Sequence, residues 1–458
     1  MTTDRDAMQI DDDLHGSVSR PPTTTDVTDT KARRASIAGF VGTAIEYYDF
    51  SIYGFLTIYF ATLFFPNENP AVEVITALAV FGSAYIARPL GGVVLGWYGD
   101  RVGRMPVLLI SVIGVGVCAG VIGLMPTYEH IGLAAPILVV LVRLVQGFCA
   151  GGEVMGALTY VAESSPARKR GFFSSLTVMG SSVGFALAAV SVGVMNALVD
   201  DAAMASWGWR IPFLVCIPLS IGAFLVRRHL SDSMEFAKTV EPNEIVKAPV
   251  VEVLRNHAKT LLGGIALAIA ITGAGYVGLS YMPVYLVKTL GFEPSATSWV
   301  VAGSIVAALV IFPIAGRLSD QIGRRRVFIW ATSLYAVLAY PIFMAISIAD
   351  NLVVIWLILA IFMMLSGMQS VGAMTLLPEV FPAKVRMTGS ALSHNLGIVL
   401  GGAFAGFICA QLVRVTGSAI APAYFVIAVA IVGLGGLVLL RDPAAARIDA
   451  MSKTIEHP

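Results

Sequence analysis

Long apolar stretches alternate with short polar ones along most of the chain. A membrane-spanning helix needs about 20 apolar residues to cross a hydrocarbon layer about 30 Å thick. The pattern predicts an all-α polytopic membrane protein with twelve transmembrane helices. They are expected near residues 35–65, 73–98, 105–125, 133–163, 172–198, 209–228, 260–287, 296–316, 327–348, 352–378, 388–413 and 419–440.

The longest polar interruption, residues 229–259, divides these stretches into two sets of six. We expect one six-helix half over residues 35–228, a cytoplasmic linker over 229–259 and a second half over 260–440. Residues 1–34 and 441–458 are polar and are expected to be cytoplasmic tails. The first tail is expected to be disordered because it has no apolar segment.

Composition and charge agree with a membrane protein and set its orientation. Hydrophobic residues make up 57% of the chain and charged residues only 13%, whereas soluble domains are about a quarter charged. Most Lys and Arg residues, including Arg227 and Arg228, fall on the side of the predicted termini. Only Arg210, Lys288 and Arg414 fall on the opposite side. The positive-inside rule therefore predicts that both termini are cytoplasmic.

Two motifs occur once in each half. "GWYGDRVGR" (96–104) matches "GRLSDQIGR" (316–324), and "ESSPARKRG" (163–171) matches "EVFPAKVRMTG" (379–389). The two copies of each motif are separated by nearly the same number of residues, so the halves are related by internal duplication. Repeats of this kind are typical of secondary transporters.

At these motifs the chain resembles the major facilitator superfamily, whose loop between helices 2 and 3 follows the same glycine, acid and arginine pattern. Met105 and Gln321 depart from that pattern. The stretches "EYYDF" (46–50), "ARPLGG" (87–92) and "RLVQGFCAGGE" (143–153) add to the resemblance. Together they are similar to the metabolite:proton symporter family, which includes permeases for alpha-ketoglutarate, shikimate and proline-betaine. The resemblance implies the two-halved fold and alternating access.

The repeated loops predict a latch that closes the cytoplasmic side. Asp100 lies at the end of helix 2 and could accept hydrogen bonds from the N-terminus of a helix in the other half. Arg104 and Arg170 could pair with Glu163. The pseudo-symmetric latch would use the corresponding residues of the second half. The predicted gating residues are Asp100, Arg101, Arg104, Glu163, Arg170, Asp320, Arg324, Glu379 and Arg386.

Five charged residues fall inside predicted helices of the first half: Glu46, Asp49, Arg88, Arg143 and Glu153. Charge in a bilayer is costly and is often functional. Three acids and two bases leave one negative charge, which one proton would neutralise, as proton coupling requires. The alternative is a static set of salt bridges with one acid facing water.

Several roles follow as hypotheses. Asp49 is the first choice for the proton carrier and Glu46 the second, and Arg143 would favour the ionised form of Asp49. Arg88 suits a substrate carboxylate, unless it only pairs with Glu153. The predicted proton-coupling residues are Asp49, Glu46, Arg143 and Glu153. The predicted substrate-binding residues are Arg88, Arg143, Tyr53, Gln146, Tyr276, Tyr281, Gln369, His394 and Asn395.

The sequence therefore predicts a secondary transporter that imports a small carboxylate, amino acid or osmolyte by proton symport. An exporter or proton antiporter of the same fold is the alternative. The histidines are scattered and the four cysteines lie in apolar stretches, which argues against an enzyme and against a metal site. We expect no cofactor and no nucleic-acid partner. We expect a monomer in a bacterial-type cytoplasmic membrane whose partners are the metabolite, protons and lipid.

Overall fold

The computed structural model describes residues 24–68, 70–228 and 248–440. Within these ranges the regular structure is helical and forms twelve long segments, several of them interrupted. They are α1 (Thr24–Phe55 and Thr57–Phe64), α2 (Pro70–Val102), α3 (Arg104–Leu124), α4 (Ala134–Ala150 and Glu153–Ser164), α5 (Arg170–Leu198), α6 (Arg210–Arg227), α7 (Ala258–Tyr276, Val277–Tyr281, Met282–Val284 and Tyr285–Thr289), α8 (Pro294–Ala308 and Ile311–Ile322), α9 (Arg324–Ile348), α10 (Leu352–Val380), α11 (Arg386–Gly397, Ile398–Gly402 and Ala405–Thr416) and α12 (Pro422–Gly436 and Leu437–Leu439).

Ten helices of the described ranges are long and apolar enough to cross a membrane. The remaining two long segments, α1 and α2, are not among the ten. They carry Glu46, Asp49 and Arg88 in their middle turns. The helical positions thus agree with the predicted pattern, while length and composition support ten spans. The cytoplasmic position of the termini stays a prediction.

The two sets of six helices repeat one packing pattern. In the first set α1 packs on α5, α2 on α4 and α3 on α6; in the second set α7 packs on α11, α8 on α10 and α9 on α12. The sets meet where α2 packs on α11 and where α5 packs on α8. These two contacts are themselves related by the repeat, so a substrate site between the halves is enclosed by equivalent helices.

The first helix begins earlier than the sequence analysis predicts. Residues 24–34 are helical turns of α1 and not part of a disordered tail. Ala32 and Ala35 are fully buried and pack with Tyr160 and Phe173. Asp29 also accepts a hydrogen bond from Lys169. The small alanines let the polar end of α1 lie close against the first half, which composition alone does not reveal.

Part of the predicted linker is also structured. A short helix, Pro249–Asn256, precedes α7. Val253 of this helix is buried and packs with Phe381 and Val385 near the start of α11. Residues 229–247 of the predicted linker, the first 23 residues and residues 441–458 lie outside the described residues.

Glycines fix the two tight connections that carry the repeated motif. Gly103 separates α2 from α3 with φ 122°, and Gly323 separates α8 from α9 with φ 96°. Residues with a side chain rarely adopt these angles. The connections bring the acidic ends of α2 and α8 to one end of the bundle, which we call the motif face.

Candidate functional site

At the motif face, Asp100 of α2 binds the first turn of α11 in the opposite half. Its carboxylate accepts hydrogen bonds from the backbone nitrogens of Met387 (3.1 Å) and Thr388 (2.9 Å). The Thr388 hydroxyl adds a third at 2.7 Å. The first N–H groups of a helix lack intrahelical partners, and the helix dipole is positive there. This is the contact that the repeated motif predicts.

An ionic cluster surrounds this contact. Arg104 lies 3.1 Å from Asp100 and 3.1 Å from Glu163, and Arg386 lies 3.0 Å from Glu163. Asp100, Arg104, Glu163 and Arg386 with the start of α11 form what we call the first clasp. The assignment of Arg386 to the pseudo-symmetric latch is therefore wrong. Arg386 is the first residue of α11, so it lies in the layer that Asp100 binds.

The second clasp consists of Asp320, Arg324 and Glu379 with the start of α5. Asp320 accepts hydrogen bonds from the backbone nitrogens of Gly171 and Phe172, both at 2.8 Å. Arg324 lies 2.9 Å from Asp320 and 3.3 Å from Glu379. Each half therefore holds the N-terminus of a helix of the other half.

Two more predicted gating residues, Arg101 and Arg170, lie at the motif face. Arg101 is exposed, and its guanidinium lies 4.9 Å from the centre of the Trp97 ring. It lies in the last turn of α2, and its gating role stays a prediction. Arg170 begins α5, and its Nε donates to the carbonyl of Ser165 at 3.4 Å.

The buried charges of the first half form three groups. In the first, Arg88 donates to Glu46, and its Nε lies 3.5 Å from Oδ1 of Asn395 on α11. The guanidinium also lies 4.9 Å from the centre of the Phe50 ring. Asn395 is 1% exposed, and this group reaches across the boundary between the halves.

In the second group, Gln146 links Arg143 to Asp49. Nη1 of Arg143 donates to Gln146 at 2.8 Å, and Gln146 donates to Asp49. Arg143 also lies over the Tyr53 ring, 4.6 Å from its centre. The predicted coupling of Arg143 to Asp49 thus passes through an amide, and the group belongs to the first half alone.

The third group is one that the sequence analysis missed. Arg227, at the end of α6, pairs with Glu153, with Nη1 3.0 Å from Oε2. Arg227 also donates to the carbonyls of Ala38 and Leu108 and is fully buried. The proposed pairing of Arg88 with Glu153 is therefore wrong. The count of three acids and two bases is wrong as well, because Arg227 supplies a third buried base.

A small cavity of about 70 Å³ lies between the halves. Its wall contains Tyr276 and His394 of the residues predicted to bind substrate. The wall also contains residues outside the predicted substrate-binding set: Tyr47, Val178, Ser181, Ser182, Phe185, Ile271, Thr272, Gly275, Leu279, Ile305, Ala308, Phe312, Met363, Ser366, Gly367, Ser370 and Met374. None of the wall residues carries a formal charge when His394 is neutral. The serine and threonine hydroxyls of the wall lie within apolar stretches, which is a signal that could have marked them.

The other residues predicted to bind substrate are placed elsewhere among the described residues. Tyr53 donates to the carbonyl of Ala77 at 3.3 Å, and Gln369 donates to Thr332 at 3.1 Å. Tyr281 packs on Tyr285. Tyr53 and Gln369 thus bind neighbouring helices, Tyr281 packs within α7, and none of the three lines the cavity. Arg88, Arg143, Gln146 and Asn395 belong to the charged groups described above.

The chain has the geometry of a two-halved carrier. Among the residues that the structure describes, no group of three or more His, Cys, Asp or Glu side chains could hold a metal ion. The site consists of a neutral cavity beside buried ion pairs, closed at one end by two clasps.

Similarity to solved structures supports this fold. The proton:xylose symporter XylE bound to 6-bromo-6-deoxy-D-glucose matches with a TM-score of 0.73 at 17% identity, over 90% of this chain and 95% of that chain. The inward-open conformation of the xylose transporter XylE from E. coli matches with a TM-score of 0.61 at 17% identity, over 86% of this chain and 94% of that one.

Sequence comparisons identify the family as well as the fold. Residues 35–244 match the family described as Sugar (and other) transporter, and residues 265–454 match the Major Facilitator Superfamily. The glycine betaine/proline/ectoine/pipecolic acid transporter OusA of Dickeya dadantii is 36% identical over 89% of this chain and 83% of its own length.

Two transporters of Escherichia coli K12 are similarly related. The proline/betaine transporter is 36% identical over 93% of this chain and 87% of its own, and the shikimate transporter is 34% identical over 84% and 88%. The matches cover both halves and all three groups of buried charge. The chain is therefore a membrane transporter and not an enzyme, and it belongs to the major facilitator superfamily.

Proposed function

We propose that the protein imports a small zwitterionic metabolite together with protons by alternating access. The relatives' names include proline, betaine and ectoine, which are zwitterions, and shikimate, which is a carboxylate. The observation that carries the choice is the uncharged wall of the cavity next to buried carboxylate–arginine groups. A substrate with no net charge can enter a cavity with such a wall without leaving an unpaired charge buried there.

The wall offers partners for both ends of a zwitterion. The rings of Tyr47 and Phe185 lie 5.7 Å apart, and those of Phe185 and Tyr276 lie 6.2 Å apart at 89°. Aromatic faces attract ammonium groups, including quaternary ones. Serine hydroxyls and the ring of His394 can donate hydrogen bonds to a carboxylate.

Glu46 is our first choice for the proton carrier, ahead of Asp49. Glu46 precedes Tyr47 of the cavity wall, and its Oε2 has no hydrogen-bond partner among the described residues. Its partner Arg88 reaches Asn395 of the opposite half. Asp49 binds Gln146 within the first half. A proton on Glu46 would free Arg88, which could then bind the substrate carboxylate as the sequence analysis suggested.

The clasps supply the gate. Each joins an acidic helix end of one half to a helix N-terminus of the other, so opening the motif face breaks both. In this proposal the motif face is cytoplasmic, and the clasps hold the carrier closed on that side. If substrate and protons moved in opposite directions, or if substrate moved outward, the same residues would serve an antiporter or an exporter, which is the alternative.

Transport into proteoliposomes tests the proposal. Labelled glycine betaine, proline, ectoine and shikimate are offered with an inward proton gradient and again after a protonophore has dissipated it. We expect a zwitterion to accumulate only with the gradient. Accumulation of shikimate alone would overturn the zwitterion assignment. Accumulation that survives the protonophore would overturn symport, and loss of preloaded substrate driven by the inward gradient would establish the antiport alternative.

A further inference from the structure

Asn395 occupies a position that the cavity does not explain. It follows His394 of the cavity wall, but its own side chain leaves the cavity and crosses to the first half. Nδ2 donates to the carbonyl of Gly151 at 2.7 Å. Gly151 is one of two residues at which α4 is interrupted, between Ala150 and Glu153. The amide oxygen faces Nε of Arg88 at 3.5 Å.

The surrounding backbone is built around this amide. A Cβ atom added at Gly92 of α2 would lie 2.5 Å from Nδ2 of Asn395 and 3.3 Å from the carbonyl oxygen of Gly151. Three helices, α2, α4 and α11, therefore meet at one point, and glycine leaves the room that the amide occupies. The contact lies away from both clasps, deep in the bundle, and Asn395 is 1% exposed.

We propose that Asn395 is a positioning residue that ties the Glu46–Arg88 pair to the interruption of α4 and holds the two halves together at mid-depth. While Glu46 is ionised, it holds Arg88 in place. The amide of Asn395 can then accept from Arg88 and donate to the carbonyl of Gly151 at the same time. When Glu46 is neutral, Arg88 loses its partner, the arrangement loosens, and the halves separate more readily. Asn395 thus links the charge of a carboxylate in one half to the closure of both.

Other charged and titratable groups face the Glu46–Arg88 pair. Glu153 of α4 and Arg227 of α6 act on Glu46 through space, in addition to Arg88. Tyr47, Tyr85, Tyr276 and His394 face Arg88. Glu153 and Arg227 are paired with each other, so Glu46 is the acid of this set whose charge bears most directly on Arg88.

Two variants and two matched controls isolate the contact. Asn395→Ala removes the amide, and Gly92→Ala displaces it while the asparagine is kept. Ser393→Ala is the control on α11, because in the described part of the chain the Ser393 hydroxyl donates to the carbonyl of Gly389 on its own helix and not to the first half. Gly82→Ala is the control on α2, where an added Cβ would meet nothing within 4 Å.

The first measurement needs no substrate. Spin labels are placed on cysteines introduced at Arg168 and Arg326, which are exposed on the motif face of opposite halves, while the four native cysteines are buried. Pulsed dipolar spectroscopy on the full-length protein gives the distance between the labels. We expect both variants, but neither control, to increase the population with the longer distance. Variant distributions that match the parent, or controls that shift as far, would overturn the proposal.

The second measurement rests on the proposed function. Gradient-driven accumulation of labelled glycine betaine should fall at least about fivefold in both variants, the lower end of typical coupling between two sites. Exchange of the same substrate at equal concentrations should change less than about twofold, because binding is intact. Equal losses in accumulation and exchange would overturn the coupling role. If the parent protein accumulates none of the zwitterions, the proposed function fails, and the label distances still decide the role of Asn395.

Discussion

The two halves share one packing pattern but bury different chemistry. The first half buries three acids and three arginines outside the first clasp, whereas no buried polar side chain among the described residues of the second half carries a formal charge with His394 neutral. The clasps also differ in burial, and the charged side chains of the first clasp are the more buried. Asp100 and Arg104 side chains are 0% exposed, and those of Asp320 and Arg324 are 8% and 13% exposed. A duplicated scaffold can therefore keep its contacts while one copy holds the charges and the other supplies neutral hydrogen-bonding groups.

The largest effect is expected from breaking a buried ion pair of the first half. Arg227→Met leaves Glu153 without its partner, which typically costs about 3–5 kcal/mol. Thermal unfolding in detergent should show a large drop in the midpoint. Glu153→Gln added to Arg227→Met should restore part of it, because neither charge is then left alone. Arg228→Met, an exposed neighbour, should change little; an equal drop there would contradict the assignment.

The next effect separates the two candidate proton carriers. With one proton per substrate and no membrane potential, an inward gradient of about two pH units supports accumulation of about a hundredfold, since 1.4 kcal/mol is a factor of ten. Glu46→Gln should abolish this accumulation and spare exchange. Asp49→Asn should do so only if Asp49 carries the proton, as the sequence analysis proposed. Glu68→Gln at an exposed position is the control. Full accumulation by Glu46→Gln would remove Glu46 from the coupling role.

The two clasps can be compared directly. Asp100→Asn weakens three hydrogen bonds in a dry site, and Asp320→Asn weakens two in a wetter one. With about 1 kcal/mol per net hydrogen bond, the initial uptake rate should fall about fivefold further for Asp100→Asn. The rates are compared at equal amounts of reconstituted protein. If Asp320→Asn is the slower variant, burial is not what ranks the clasps.

The smallest effect concerns the cavity wall. Tyr276→Phe keeps the ring but removes its hydroxyl contact with Tyr85 across the halves, at 3.2 Å. One neutral hydrogen bond is worth about 1 kcal/mol, so the concentration for half-maximal uptake should change by no more than about fivefold. Tyr285→Phe loses a hydrogen bond to Ala419 within the second half and should leave uptake unaltered. A complete loss of transport in Tyr276→Phe would indicate a role beyond this contact.

Sequence patterns anticipated much of this architecture. The apolar periodicity located the helices, and the repeated motif placed Asp100 and Asp320 at helix ends, because those features depend on local composition and spacing. The partners of the buried charges were harder to predict from the sequence. Arg227 stands beside Arg228 at a helix end, where two basic residues ordinarily mark the membrane surface. Its burial depends on how α1, α3 and α6 approach, which no local pattern encodes.

The cavity shows the same limit from the other side. His394 and Tyr276 were expected to contact substrate and do line the cavity. Gln369 and Tyr53 have equally suitable chemistry but face neighbouring helices. Side-chain type identifies candidates inside the membrane, whereas the rotation of each helix, set by packing across the bundle, decides which of them reach the cavity.

The close approach at Gly42 has a consequence for how this chain can vary. A Cβ atom there would lie 1.7 Å from Nη2 of Arg227 and 2.4 Å from Oε1 of Glu153. A saturation library at position 42, selected for growth on an imported osmolyte, should return glycine almost alone. The same library at Gly82, with open space around it, should return many residues. The requirement for glycine at position 42 would therefore be imposed by an arginine on another helix and not by the local conformation of α1.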